Sequence, residues 1–151
     1  MSVIAWDGNI IAADRQGTHA GLITTNTKLY QLDNRTVVGF VGSKSEGLAL
    51  IEWYKAGAKP ADHPKFDNAE GFTYLIVVKD KQCFIYESQP YALKVEDAFL
   101  AWGAGRDFAI AAMHLGKNAI GAVEVASIFN DSCGNGVTYF EVGMADNGRN
   151  E

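Results

Sequence analysis

Few residues of this chain could do chemistry, and three of them stand near its beginning. They are a hydroxyl at Ser2, a carboxylate at Asp14 directly after an apolar run, and an ammonium at Lys28 where another run begins. A hydroxyl becomes a nucleophile when a base takes its proton, and nearby charges tune that base. The same residues would also make a polar strand end and a structural ion pair, because perturbed ion pairs mark function only statistically. The more familiar arrangements are missing. There is no G-x-S-x-G, no H-E-x-x-H, no G-x-x-x-x-G-K-[ST] and no clear pairing of cysteine with histidine. Gly103-Ala-Gly-Arg-Asp-Phe lacks the last Gly of a dinucleotide fingerprint and reads as a tight strand-to-helix turn.

Composition narrows the field further. At 151 residues the chain is long enough for one domain with a well-buried core, and 48% apolar with 21% charged residues is the balance of a globular protein. A net charge of -5 without a Lys/Arg cluster argues against wrapping a phosphate backbone, so no nucleic-acid partner is expected. Cys83 and Cys133 lack metal-ligand spacing and the three histidines are scattered, so neither a metal nor a cofactor is expected. Two reduced thiols fit a cytoplasmic protein. The N-terminal residues show no basic segment followed by a long apolar run, and no apolar stretch reaches about 18 residues, so neither a secretory signal nor a membrane span is expected.

The elements that must position Ser2, Asp14 and Lys28 are legible in outline. Residues 2–6 and 9–14 are short apolar runs around Asp7-Gly8, which predicts a hairpin with a two-residue turn, Ser2 opposite Ala13 and Met1 opposite Asp14. Residues 16–27 read as a polar loop with a short strand at 22–23. Residues 28–32 and 36–41 form a second hairpin, turning at 33–35 and ending at Gly42. Ser43-Lys-Ser-Glu46 has the form of a capping box, and Leu48, Leu50, Ile51 and Tyr54 give a helix over 43–56 its apolar face. Strands at 72–79, 83–87 and 99–102 follow, then helices at 106–115 and 119–129, the latter capped by Asn118, and a strand at 137–142. One domain over 1–151 is expected, with a polar tail at about 146–151. Helices segregated in this way suit two antiparallel sheets stacked face to face and covered by helices, though the pattern leaves other α+β arrangements open.

Several of these pieces together resemble a family. Ser2-Val-Ile-Ala-Trp, Ile11-Ala-Ala-Asp-Arg with Thr18, Thr27-Lys-Leu-Tyr-Gln-Leu and Val38-Gly-Phe-Val-Gly-Ser look like the first third of a proteasome β-type subunit or its bacterial HslV-like relatives. Gly103-Ala-Gly-Arg-Asp-Phe-Ala is similar to the G-S-G-x-x-[YF]-A turn of the same N-terminal-nucleophile hydrolases. The likeness runs in order over nearly the whole chain. It implies an α+β, four-layer αββα sandwich and a threonine-type endopeptidase working without a cofactor. It also implies polypeptide substrates and self-assembly into a homo-oligomeric ring, fed by an ATP-dependent unfoldase.

In that family the nucleophile is the hydroxyl of a newly exposed N-terminal residue, and its own α-amine is the general base. An α-amine titrates near about 8, so part of it is unprotonated at neutral pH. Carried over by position, Ser2 is the nucleophile once Met1 is removed, Asp14 and Lys28 are the buried pair that tunes it, and a backbone N–H near Gly42 is the oxyanion donor. The family's later Asp and Ser fall at Asn130 and Cys133, unless Asp131 and Ser132 serve after a one-residue shift. Ser replaces the family's Thr at position 2, and Ala104 replaces the serine of the turn.

Three readings follow. The first is the peptidase, expected to lose Met1 and preferred because the Asp14 and Lys28 pair is kept. The second is a non-catalytic member of the fold retained for structure or assembly, in bacteria or in a phage particle, and expected to keep Met1. The third is a small-molecule-binding α+β module, which would need an apolar pocket elsewhere.

Overall fold

The computed structural model describes residues 2–67 and 73–142. Met1, the expected strand start at Phe72 and the polar tail lie outside the described residues. Along the chain run β1 (Val3–Trp6), β2 (Ile10–Asp14), β3 (Gln16–His19), β4 (Leu22–Thr25), β5 (Leu29–Asp33), β6 (Thr36–Val41), α1 (Lys44–Lys55) and a single 3-10 turn at Pro60–Asp62. Then come β7 (Tyr74–Lys79), β8 (Gln82–Tyr86), β9 (Leu93–Lys94), β10 (Leu100–Gly103), α2 (Arg106–His114), α3 (Ala119–Phe129) and β11 (Val137–Glu141).

Side chains alternate faces along a strand, and that alternation builds the layers. One sheet has the order β10-β1-β2-β11, a second the order β5-β6-β7-β8-β9, and every pairing is antiparallel. In the first sheet Ile4, Trp6, Ile11 and Ala13 point inward and meet Leu29, Val37, Ile76, Val78 and Ile85 of the second. Val3, Ala5, Ala12 and Ala101 point outward, beneath Ala109, Ala112, Ala119, Ala122 and Ala126 of α2 and α3. These methyl-sized contacts let both helices lie close to the sheet. On the far side Val38, Phe40, Leu75 and Val77 carry Leu50, Ile51 and Trp53 of α1. The architecture is the four-layer αββα sandwich, and no helix among the described residues is long and apolar enough to cross a membrane.

The first hairpin departs from its expected register. Ile4 lies opposite Ala13, not opposite Ile11. The cause is Asp7, whose Oδ1 accepts the N–H groups of Asn9 (2.8 Å) and Ile10 (2.7 Å) while its own N–H donates to the Ile10 carbonyl (3.2 Å). Asp7 thus flanks the turn, and Gly8, at φ +94°, takes the first of the two central positions with Asn9 after it. Moving a turn by one residue shifts the pairing by two, so every side chain keeps its face.

The segment read as a loop at 16–27 is a second hairpin, β3 with β4, turning at Ala20 and Gly21 with φ of 50° and 84°. The short edge strand β9 was not expected either; it pairs Leu93 and Lys94 with Ile85 and Phe84.

Gly47 lies inside α1 with its Cα against the Phe40 ring, which an added Cβ would overlap. Helix propensity alone favours Gly47→Ala by about 1 kcal/mol. Overpacking a filled core costs about 1–3 kcal/mol. Gly47→Ala is therefore expected to lower the urea midpoint, and a raised midpoint would show that the ring moves aside freely.

Candidate functional site

The site is built on the ends of the two inner sheets. Asp14 closes β2 and is fully buried; its Oδ1 accepts the Val3 N–H at 3.0 Å and the Lys28 ammonium at 2.7 Å. Its Oδ2 accepts the N–H groups of Gln16 (3.2 Å) and Gly134 (3.1 Å). Lys28, 5% exposed, is the residue just before β5. Burial lowers the Lys28 ammonium from its ordinary value, against the raising pull of the Asp14 charge and hydrogen bond.

Ser2 precedes β1 and is buried, and its carbonyl accepts the Gly105 N–H at 3.3 Å. Gly103, at φ +100°, packs its Cα against that carbonyl so closely that a side chain there would collide with it. The turn after β10 must therefore begin with glycine. Gly42 follows β6 at φ +119°, where a Cβ would come within 2.6 Å of Thr73 Oγ1. Ser2, Lys28 and Gly42 line one cavity of about 340 Å³, together with Gln16, Thr18 and Phe40. A second cavity of about 500 Å³ shares Ser2 and Gly42 and continues past Val41, Tyr74, Trp102 and Arg106. Ser2 and Gly42 thus stand at the junction of one continuous cleft.

No family model and no curated protein matches the chain in sequence. The crystal structure of eukaryotic HslV from Trypanosoma brucei superposes with a TM-score of 0.68 at 21% identity, over 92% of this chain and 97% of that one. The fold is that of HslV. Thiobacillus denitrificans BPH superposes with a TM-score of 0.70 at 18% identity, over 95% of this chain and 99% of BPH. BPH in complex with epoxomicin gives 0.68 at 17% identity, over 94% and 98%.

On this HslV fold the residues chosen from sequence fall as follows. Ser2, Lys28 and Gly42 line the cleft and Asp14 lies beneath it, tied to Lys28. Asn130, at the end of α3, turns its amide toward backbone: Nδ2 donates to the Ala104 carbonyl (3.0 Å) and Oδ1 accepts the Ser132 N–H (2.8 Å). It props the Gly103-Ala104-Gly105 turn against Ser2. Cys133 is buried beneath Gly105, where a Cβ would meet its Sγ at 2.9 Å. Burial and the charge of Asp14 push the Cys133 thiol up to about 11. Asp131 is exposed, and only its carbonyl joins the site, accepting Gln16 Nε2 at 2.9 Å. Among the described residues no group of three or more His, Cys, Asp or Glu could hold a metal ion.

Thr73 escaped the sequence reading. The Ser43 hydroxyl does accept the Glu46 N–H (3.4 Å), as the capping box requires. Glu46, however, does not return to the Ser43 N–H. Thr73 Oγ1 stands between them, accepting from Ser43 N (3.1 Å) and donating to Glu46 Oε1 (2.7 Å). It locks the Gly42-Ser43 corner to the strand that follows it. The one trace in sequence is a hydroxyl residue immediately before the apolar run of β7.

Removing one partner of a buried pair leaves the other charge uncompensated at a cost of about 3–5 kcal/mol. Asp14→Asn is expected to lose stability of that order. Lys28→Met should lose less, because three N–H donors still face Asp14. Urea denaturation of both variants checks the order, and a harmless Asp14→Asn would show that the pair is incidental. The thiols of Cys83, pushed by burial up to about 12, and of Cys133 are expected to resist iodoacetamide at pH 8 in the folded chain and to react once it is unfolded. Rapid labelling of Cys133 in the native protein would contradict its described surroundings.

Proposed function

We propose that this chain is a threonine-type peptidase in which Ser2 supplies the hydroxyl, in the cytoplasm, once Met1 has been removed. The observation that carries the reading is the meeting of Ser2, Lys28 and Gly42 around one cleft, with the Asp14 to Lys28 ion pair of 2.7 Å beneath it. The α-amine of Ser2 accepts the Oγ proton and Oγ attacks the peptide carbonyl carbon. The developing oxyanion is held by backbone N–H at the Gly42 corner, and the ammonium returns its proton to the departing amine. Water then hydrolyses the ester by the same path in reverse, regenerating the free hydroxyl. The Lys28 charge disfavours a second positive charge nearby and so keeps the amine basic but unprotonated. BPH, a chain of the same fold, forms a complex with epoxomicin, which supports a ligand-binding site of peptidase type on this fold.

Assembly belongs to the same proposal. Phe108 and Phe129 stack at 5.8 Å on the outer face of α2 and α3, and with Leu115, 83% exposed, they border an apolar groove. Such a surface supports packing against further copies in a ring. An ATP-driven unfoldase would then deliver polypeptide to the enclosed sites.

One set of observations favours a second reading, a non-catalytic member kept for structure or assembly. Ala104 lacks the family's hydroxyl, the Asn130 amide is committed to backbone, and the Cys133 thiol is buried.

The two readings separate in one set of measurements. Intact mass is expected to show mature chain beginning at Ser2, active on peptide amides. Ser2→Ala should reduce turnover by about 100-fold or more, with Ser2→Thr retaining it. Mature protein that keeps Met1, together with no turnover of peptide amides by either the native chain or Ser2→Ala, would establish the non-catalytic reading instead.

A further inference from the structure

We propose that the cleft selects acidic segments of polypeptide and that Lys44 is the side chain that reads them. This rests on the peptidase reading for the place of the scissile bond, and on the cavities alone for the binding itself. The whole chain is acidic, with 18 Asp and Glu against 13 Lys and Arg. Its cleft is the reverse. The basic side chains lining the two cavities that meet at Ser2 are His19, Lys28, Lys44 and Arg106, and no carboxylate is among the described lining residues. Of the nearby carboxylates, Asp14 is fully buried on Lys28 and Glu46 takes the Thr73 hydroxyl, while Asp131 is exposed, lines neither cavity and meets the cleft through its carbonyl on Gln16.

The four groups are not equivalent. The Lys28 charge is balanced by Asp14. Arg106 donates to the Gly103 carbonyl at 3.1 Å and lies 3.8 Å from Asp107. Lys44 has a neutral partner, the Asn26 amide oxygen at 3.4 Å, and among the described residues no ion pair cancels its charge. It is also the first residue of α1, where the helix presents its own positive end and a cation is disfavoured. A bound carboxylate satisfies both. Around it, Thr18, Thr24 and Gln16 add polar groups and Phe40 an apolar wall, which suits the methylenes and carboxylate of a Glu or Asp side chain.

The test measures binding to the assembled Ser2→Ala protein, so that it does not depend on turnover. Fluorescence anisotropy compares length-matched labelled peptides carrying central Glu, Gln or Lys residues. The Glu peptide is expected to bind about tenfold tighter than the Gln peptide, with the advantage shrinking as salt rises to roughly 0.5 M. Lys44→Glu should erase the preference and Lys44→Arg keep it, with circular dichroism unchanged in both. Equal affinity for the three peptides, or a preference that survives Lys44→Glu, would overturn the inference. Turnover of the active chain separates the two proposals. Hydrolysis of neutral peptides as fast as acidic ones overturns the acidic preference and leaves the peptidase standing. Selective binding of Glu peptides with no hydrolysis of any upholds the preference and removes the peptidase.

Discussion

The Asp14 carboxylate is where four segments of the chain converge. It holds the start of β1 through Val3, the approach to β5 through Lys28, the hairpin of β3 and β4 through Gln16, and the loop before β11 through Gly134. A buried anion is tolerable only when its lone pairs are filled, and each filling group here comes from a different part of the sequence. The ion pair is therefore a structural hub before it is anything chemical. Any function assigned to Lys28 has to operate from a side chain that the fold already needs in place.

Around that hub the cleft is shaped mostly by backbone. Gly42, Gly103 and Gly105 stand where a side chain would strike Thr73, the Ser2 carbonyl or Cys133. The hydroxyl of Thr73 and the amide of Asn130 fix the two corners that flank Ser2, one from each sheet. Positions 130 and 133, where the resemblance placed the family's later Asp and Ser, hold instead an amide bound to main chain and a packed thiol. Whatever basicity the site has must come from groups nearer the beginning of the chain.

Most elements were legible in the sequence from their periodicity, whereas the pattern left several α+β arrangements open and only the family resemblance implied the four-layer sandwich. The strands of residues 36–41 and 74–79 are apolar on both faces, which only a sheet covered on both sides permits. The α3 cap at Asn118 was visible because an Asn directly before an apolar helical run suits an N-cap, and its side chain accepts the Gly121 N–H at 2.9 Å. The hairpin of residues 16–25 was not, since Leu22 and Ile23 are 62% and 58% exposed and no buried face imposes a pattern. The register of the first hairpin escaped because Asp-Gly and Gly-Asn both suit a tight turn. What decided between them was the Asp7 side chain folding onto the two residues after Gly8. Thr73 escaped because its partners, Ser43 and Glu46, lie some thirty residues earlier.

The Asp7 carboxylate has a further role, for its Oδ2 accepts the Ala119 N–H at 2.8 Å and so stitches the first turn of the protein to the start of α3. The strand leading into the cleft is consequently clamped at its far end, and by Val3 to Asp14 near its front. Trimming a residue ahead of Ser2 leaves both clamps untouched, so proteolytic maturation could not make the strand slip along its neighbours. Position 2 arrives at the cleft by being measured from behind, with the turn at Gly8 as the fixed end of the ruler.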